Sequence, residues 1–289
     1  MAHAKAQDEL QKRYEEGSQS LEDPEVEHMI SQADEMMGKP ARMLIAQAGL
    51  QRSTTTSFSL LDHGCGTGLV ASCIQEVIQP SVLSQSRIFC ADVNARFVDI
   101  LLQRARRDHW TNDDAAVLDA QDSGLPMHSF SHVTINFAMH IIPDPAVVLC
   151  DTLRILRPGD LMTFSVPHAS NGHGDGWEPN LRSALESLRF KTSFPDPMPV
   201  ALHSEPEWVE PEGIKAELVR HGFVDTKVET VDLIQPVADA DGFLASFGMM
   251  KEQYEDDFDK ILVEHLQIKH GGNGWDLKST AILVTAQTP

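Results

Sequence analysis

One segment constrains this chain more than any other: Leu60-Leu61-Asp62-His63-Gly64-Cys65-Gly66-Thr67-Gly68. An apolar, strand-like run enters a glycine-rich turn. A helix-like run then leaves it, with Val70, Ile74, Val77 and Ile78 on one face. Glycines at such a turn permit a tight backbone path and let main-chain N–H groups approach a ligand. The dinucleotide-binding pattern G-x-G-x-x-G asks for a small residue at position 69. Leu69 stands there, and the third glycine comes one residue early, at Gly68. Asp62, just before the turn, puts a carboxylate where a pyrophosphate would be repelled and a cation would be attracted. A nucleotide-binding oxidoreductase is therefore disfavoured.

The same strand–helix rhythm continues along the chain. Ser57–Asp62, Arg87–Asp92, Ala115–Asp119, Ser131–Phe137 and Leu161–Val166 read as strands. Helical periodicity marks Leu69–Gln79, Ala95–Asp108 and Pro145–Leu156, the last stopped at Arg157-Pro158-Gly159-Asp160. This alternation predicts a parallel sheet with helices on both faces. Residues 168–205 are rich in Gly, Pro, His and Ser and read as a loop with a short helix at Leu181–Leu188. Glu210–His221 reads as a helix closed by Gly222, Val224–Leu233 as a strand, Asp241–His270 as mostly helical and Ser279–Ala286 as a last strand. The N-terminal segment reads as helical from about Glu9 to Gly49, interrupted near Gly38-Lys39-Pro40. The expected organisation is an N-terminal helical segment (1–52) covering the cofactor site, a Rossmann-like core (53–167), and a lid or cap with the far strands of the same sheet (168–289).

With these elements in place, the chain resembles the class I S-adenosylmethionine (SAM) methyltransferases. Their first motif ends a strand with an acidic residue and continues G-x-G-x-G, as Asp62, Gly64, Cys65, Gly66, Thr67 and Gly68 do. The resemblance implies an α/β fold, with a Rossmann-like seven-stranded sheet, helices on both faces and a helical cap. It implies that Asp62 holds the methionine amino group and that the turn, Gly64-Cys65-Gly66, passes under the methionine and ribose. Asp92, ending the second strand, would accept hydrogen bonds from the ribose hydroxyls, and Val93 would lie against the adenine. Asp119 and the backbone of Ala120 would read the adenine edge, with Asp122 close enough to substitute for Asp119. Asn136-Phe137, ending the fourth strand, would line the pocket near the methyl group. Tyr14 would reach over the cofactor, or simply face solvent. Asp122-Ser123-Gly124-Leu125-Pro126, the helix from Trp208 to Gly222 and the ending Ala281–Pro289 extend the likeness to fungal secondary-metabolite methyltransferases of the gliotoxin thiomethyltransferase type.

The implied reaction is methyl transfer from SAM to O, N or S of a small molecule, with S-adenosylhomocysteine as the second product. The alternative is a protein that holds SAM while catalysing an isomerisation or cyclisation. His140 and His168, after the fourth and fifth strands, are the base candidates, since an unperturbed imidazole suits proton removal near neutral pH. Each is more readily a packing or capping histidine. Cys65 reads as small-residue packing rather than as a catalytic thiol. His168, His173 and Asp175 read as a glycine-rich lid rather than a metal cluster, so no metal is expected.

Charge and composition narrow the partners. The net charge is −20, from 43 acidic and 23 basic residues, which repels phosphate backbones and argues against nucleic acid. No apolar run reaches the length of a membrane span, and the start of the chain lacks an apolar signal core. Four cysteines without paired spacing argue against a disulfide framework or zinc, and for a reducing cytoplasm.

Overall fold

The computed structural model describes residues 17–111, 113–172, 176–186, 201, 206–247 and 258–289. Tyr14, His173 and Asp175 lie outside the described residues. The first helix among the described residues, α1 (Pro24–Gln47), opens on an Asp23 cap that accepts a hydrogen bond from the Glu25 N–H, with Pro24 in its first turn. It does not break at Gly38-Lys39-Pro40 as the sequence suggests, but runs through Pro40. Proline there forfeits one helical hydrogen bond. Burial of Pro40, Ala41, Leu44 and Ile45 on the same face offsets that loss. Gly38 keeps the surface open: a Cβ there would lie 2.6 Å from both Arg42 Nη1 and Asp34 Oδ1, which pair across it.

Next come β1 (Ser59–His63), α2 (Leu69–Val77), α3 (Pro80–Leu83), β2 (Arg87–Asp92), α4 (Ala95–Arg107), β3 (Asp113–Val117), β4 (Phe130–Asn136), α5 (Pro145–Ile155) and β5 (Leu156–Pro167). After them are α6 (Trp177–Glu186), α7 (Pro211–Arg220), β6 (Val224–Val237), α8 (Ala240–Phe247), α9 (Phe258–His270) and β7 (Trp275–Gln287). Within the stretch expected to be mostly helical, Asp241–His270, the described residues form α8 and α9, and 248–257 lie outside the described residues. Among the described residues no helix is long and apolar enough to cross a membrane.

The strands form one sheet in the order β3-β2-β1-β4-β5-β7-β6. The pairings β1·β2, β1·β4, β2·β3 and β4·β5 are parallel. Strand order reverses at β1, and ligands of open α/β sheets bind in the crevice beyond the strand carboxyl ends at such a point. Strand β5 starts earlier than its sequence suggests. A register shift between Phe130↔Leu156 and His132↔Leu161 absorbs Arg157-Pro158-Gly159-Asp160 as a bulge, with Gly159 at φ +80°. Thr288 anchors that bulge through its hydroxyl to the Arg157 carbonyl at 2.7 Å.

Alternate strand residues feed two apolar clusters. Leu61, Val133, Ile135 and Phe164 pack with Val148 and Leu149 of α5. Leu60, Ile88 and Cys90 pack with Ile45 of α1, Ile74 of α2 and Leu101 of α4. The chain forms two compact units. One holds Met1–Val166, Ala201–Thr230 and Ala281–Pro289; the other holds Pro167–Val200 and Val231–Thr280. In the second, Leu181, Phe243, Leu262 and Leu266 are buried. There the Asn180 side-chain carbonyl accepts from Lys269 Nζ at 2.8 Å.

Candidate functional site

The carboxyl ends of β2, β1 and β4 lie side by side in the first unit and carry most of the residues singled out by sequence. The turn after β1 is fixed from several directions. The N–H groups of Gly64 and Cys65 both donate to the Ala91 carbonyl, at 2.7 and 3.0 Å. Gly64, Gly66 and Gly68 have φ of +69°, +52° and +88°, where a side chain is strained. A Cβ on Gly64 would also sit 2.8 Å from the Ala138 Cβ. A Cβ on Gly66 would meet nothing within 4 Å, so the turn faces open space there.

Asp92 bridges strand and turn. Its Oδ2 accepts from the Gly66 N–H and its Oδ1 from the Asn94 N–H, both at 2.9 Å. Each carboxylate oxygen retains a second lone pair for a ligand hydroxyl. The Gly66 contact joins residues far apart in the chain, and no local pattern announces it. Burial pushes the Asp92 carboxyl above the usual range, against the pull of these N–H donors. Val93, the next residue, is an exposed apolar side chain.

Asp62 is the most unusual group of the site. Its side chain is buried and neither oxygen has a hydrogen-bond partner. Burial, reinforced by the nearby Asp92 charge, pushes it up to about 8. An unpartnered buried carboxylate is costly unless it is protonated or meets a cation. Asp62 beside an open glycine turn therefore fits a ligand carrying an ammonium group, as the α-amino group of SAM is.

His63, which sequence reasoning passed over, is also buried. Burial pulls it down to about 4, against the opposing influence of Asp151 and Asp119. Its Nε2 has no partner. The available signal is its place between the acidic strand end, Asp62, and the glycine turn. Cys65 is buried, and its thiol is pushed up by burial and by its hydrogen bond with Cys90. That makes it a packing group rather than a nucleophilic thiolate.

The remaining positions lie at or just beyond the carboxyl ends of β3, β4 and β5. The Leu118 N–H donates to the Asp92 carbonyl at 3.0 Å, drawing the third segment against β2. Asp119 is exposed, and its Oδ1 accepts from the Gln121 N–H at 2.8 Å. Ala120 is buried beside it. Asp122 is exposed. At the end of β4, Ser165 Oγ donates to Asn136 Oδ1 at 2.8 Å and accepts from the Phe137 N–H at 3.0 Å. This holds Phe137 at φ +52°, a conformation that costs a non-glycine residue about 1–2 kcal/mol. Phe137 meets His140 edge to face, with ring centroids 6.0 Å apart. His140 is half-buried, in the turn after β4. His168 belongs to the second unit, where its Nδ1 accepts from the Ser170 N–H at 3.0 Å and so caps a short turn. Among the described residues, no cluster of three His, Cys, Asp or Glu side chains is placed to hold a metal.

Residues 61–164 match the model of a methyltransferase domain. The chain is 26% identical over 262 residues to methyltransferase tpcH of Aspergillus fumigatus, covering 86% of this chain and 91% of the relative. It is 24% identical to an acetylaranotin bis-thiomethyltransferase of Aspergillus terreus, covering 89% and 92%. Among solved structures, the YcgJ protein of Bacillus subtilis superposes with a TM-score of 0.56, at 15% identity, covering 85% of this chain and 97% of that one. The family model that matches within the chain and the relatives that span nearly its whole length are methyltransferases by name, and the fold is shared with the YcgJ structure.

Proposed function

We propose that the chain binds SAM on the glycine turn and transfers its methyl group to O, N or S of a small molecule. The observation that carries this reading is Asp62: a buried carboxylate without a partner, beside an open turn, at the point where strand order reverses. When bound, SAM supplies an electrophilic methyl on a sulfonium, so the protein's tasks are alignment and exclusion of water. Asp62 receives the ammonium. Asp92 accepts from the ribose hydroxyls while holding Gly66. Val93 offers an apolar face to the adenine, whose edge meets Asp119 and the Ala120 backbone. Asn136 and Phe137 line the methyl side. His140 takes a proton from an acceptor that carries one, with His168 as the second candidate.

The net charge of −20 argues against a nucleic-acid acceptor. Three buried cysteines and one exposed, all unbridged, suit a reducing cytoplasm. The test is calorimetry of the purified protein with SAM and with NAD, paired with mass spectrometry of products. Micromolar SAM binding, worth about −8 kcal/mol, no NAD binding, and a product heavier by one CH₂ are expected. NAD binding without SAM binding would refute the proposal, and an isomerised product of unchanged mass would show that SAM is held but not consumed.

A further inference from the structure

The glycine turn is held by a second side chain besides Asp92. Arg104 of α4 reaches out of the helix with its side chain mostly buried. Its Nη1 donates to the Thr67 carbonyl at 3.3 Å and its Nη2 to Ser72 Oγ, in α2, at 3.0 Å. The guanidinium lies over the Trp110 ring, 5.2 Å from its centroid. Trp110 and Leu101 in turn back Gly68: a Cβ there would fall 3.1 and 3.0 Å from them. Gly68 is the N-cap of α2 and supplies no side-chain cap.

We propose that Arg104 is a positioning residue for cofactor binding, clamping the Thr67-Gly68 end of the turn to α4 so that the turn is ordered before the ligand arrives. The inference rests on SAM occupying this turn. Glycines lose the most conformational freedom on ordering, and a turn that must order on binding loses affinity to that entropy. Asp92 fixes only the Gly66 N–H. Gly68 is held by the backbone alone, its N–H donating to the Cys65 carbonyl and its carbonyl accepting from the Ser72 N–H, both at 2.9 Å; without Arg104 the Thr67 carbonyl between Gly66 and Gly68 loses its side-chain donor. The planar fork matters, because it serves Thr67 and Ser72 at once while stacking on Trp110, which a lysine ammonium does not reproduce.

The test uses the full chain carrying Arg104→Met or Arg104→Lys. Hydrogen exchange of the peptide covering 61–72 is followed without ligand and with saturating SAM, alongside the SAM dissociation constant, KM for SAM, kcat and melting temperature. Arg104→Met should speed exchange of the unliganded turn, and saturating SAM should restore the wild-type pattern. It should raise the dissociation constant and KM for SAM about tenfold and leave kcat within about twofold, since the acceptor side is untouched. Arg104→Lys should fall between the two. Wild-type SAM affinity and exchange in a folded Arg104→Met protein would overturn the clamp while leaving the cofactor assignment intact. Loss of SAM binding, kcat and melting temperature together would assign Arg104 a purely structural role. Should Arg104→Met fail to fold, Arg104→Lys decides by the same readouts. A wild-type protein that does not bind SAM overturns both readings at once.

Discussion

Asp62 turns a motif position into a measurable property. Its carboxyl, raised to about 8 by burial and by Asp92, lies near the ordinary value of about 4 once unfolded. The folded state therefore holds a proton that the unfolded state has released between those values. Asp62's contribution to stability is full below about pH 4 and is lost as pH rises toward 8. Asp62→Asn, which cannot ionise, should raise the melting temperature at pH 8 relative to wild type. It should weaken SAM binding by about 1.5–3 kcal/mol, the range for a hydrogen bond to a charged group. In the wild type, SAM binding below pH 8 should release a proton, visible as a calorimetric heat that depends on buffer ionisation enthalpy. Buffer-independent heat at pH 7 would contradict a protonated Asp62.

At the same scale, His140 differs from His63 in access. His63 is sealed and held neutral, whereas His140 is half-buried beside Phe137 at the end of β4. His140→Ala should lower turnover about 10²–10⁴-fold with SAM affinity unchanged if the acceptor carries a proton to be removed. Single-turnover rates with melting temperature separate this from a packing role, for which the rate per folded molecule stays near wild type.

Among the elements, α5 matters beyond its packing. Asp151 receives a hydrogen bond from Ser123 Oγ at 2.5 Å and from Arg154 Nε at 2.9 Å. Arg154 Nη1 donates to the Leu125 carbonyl at 2.5 Å. These contacts pin the segment that follows Asp119-Ala120 to the helix. Removing the carboxylate leaves the Ser123 hydroxyl without its acceptor and Arg154 without its anionic partner, though its bond to the Leu125 carbonyl remains. Arg154 is partly exposed, so water softens the loss. Asp151→Ala should cost about 1–3 kcal/mol in urea unfolding, with a larger fractional effect on SAM affinity than on kcat. An unchanged unfolding midpoint would remove the network from the account of stability. Sequence pattern located this helix closely, from Pro145 to Leu156 against the observed Pro145–Ile155, because its Asp144 cap and Pro145 are local signals. The same reasoning broke α1 at Pro40, because a proline's local cost is legible whereas the burial that offsets it is not.

For the whole molecule, the strand–helix alternation before Pro167 was legible as a parallel sheet because each strand, turn and helix is specified by neighbours in the chain. The glycine turn, the acidic strand ends at Asp62 and Asp92 and the order of elements follow from such short spacings. The sequence by itself therefore determined the fold class and the glycine turn on which the proposed cofactor site is built. Only the tertiary structure decided that β7 lies between β5 and β6, that residues 201–230 and 281–289 join the first unit, and that His63 is sealed. It alone decided that Asp62 lacks a partner, that Asp92 holds Gly66 and that Arg104 holds Thr67. Burial and long-range hydrogen bonds depend on which distant segments arrive at the same place. That is fixed by packing the whole chain, and no window of neighbouring residues contains it.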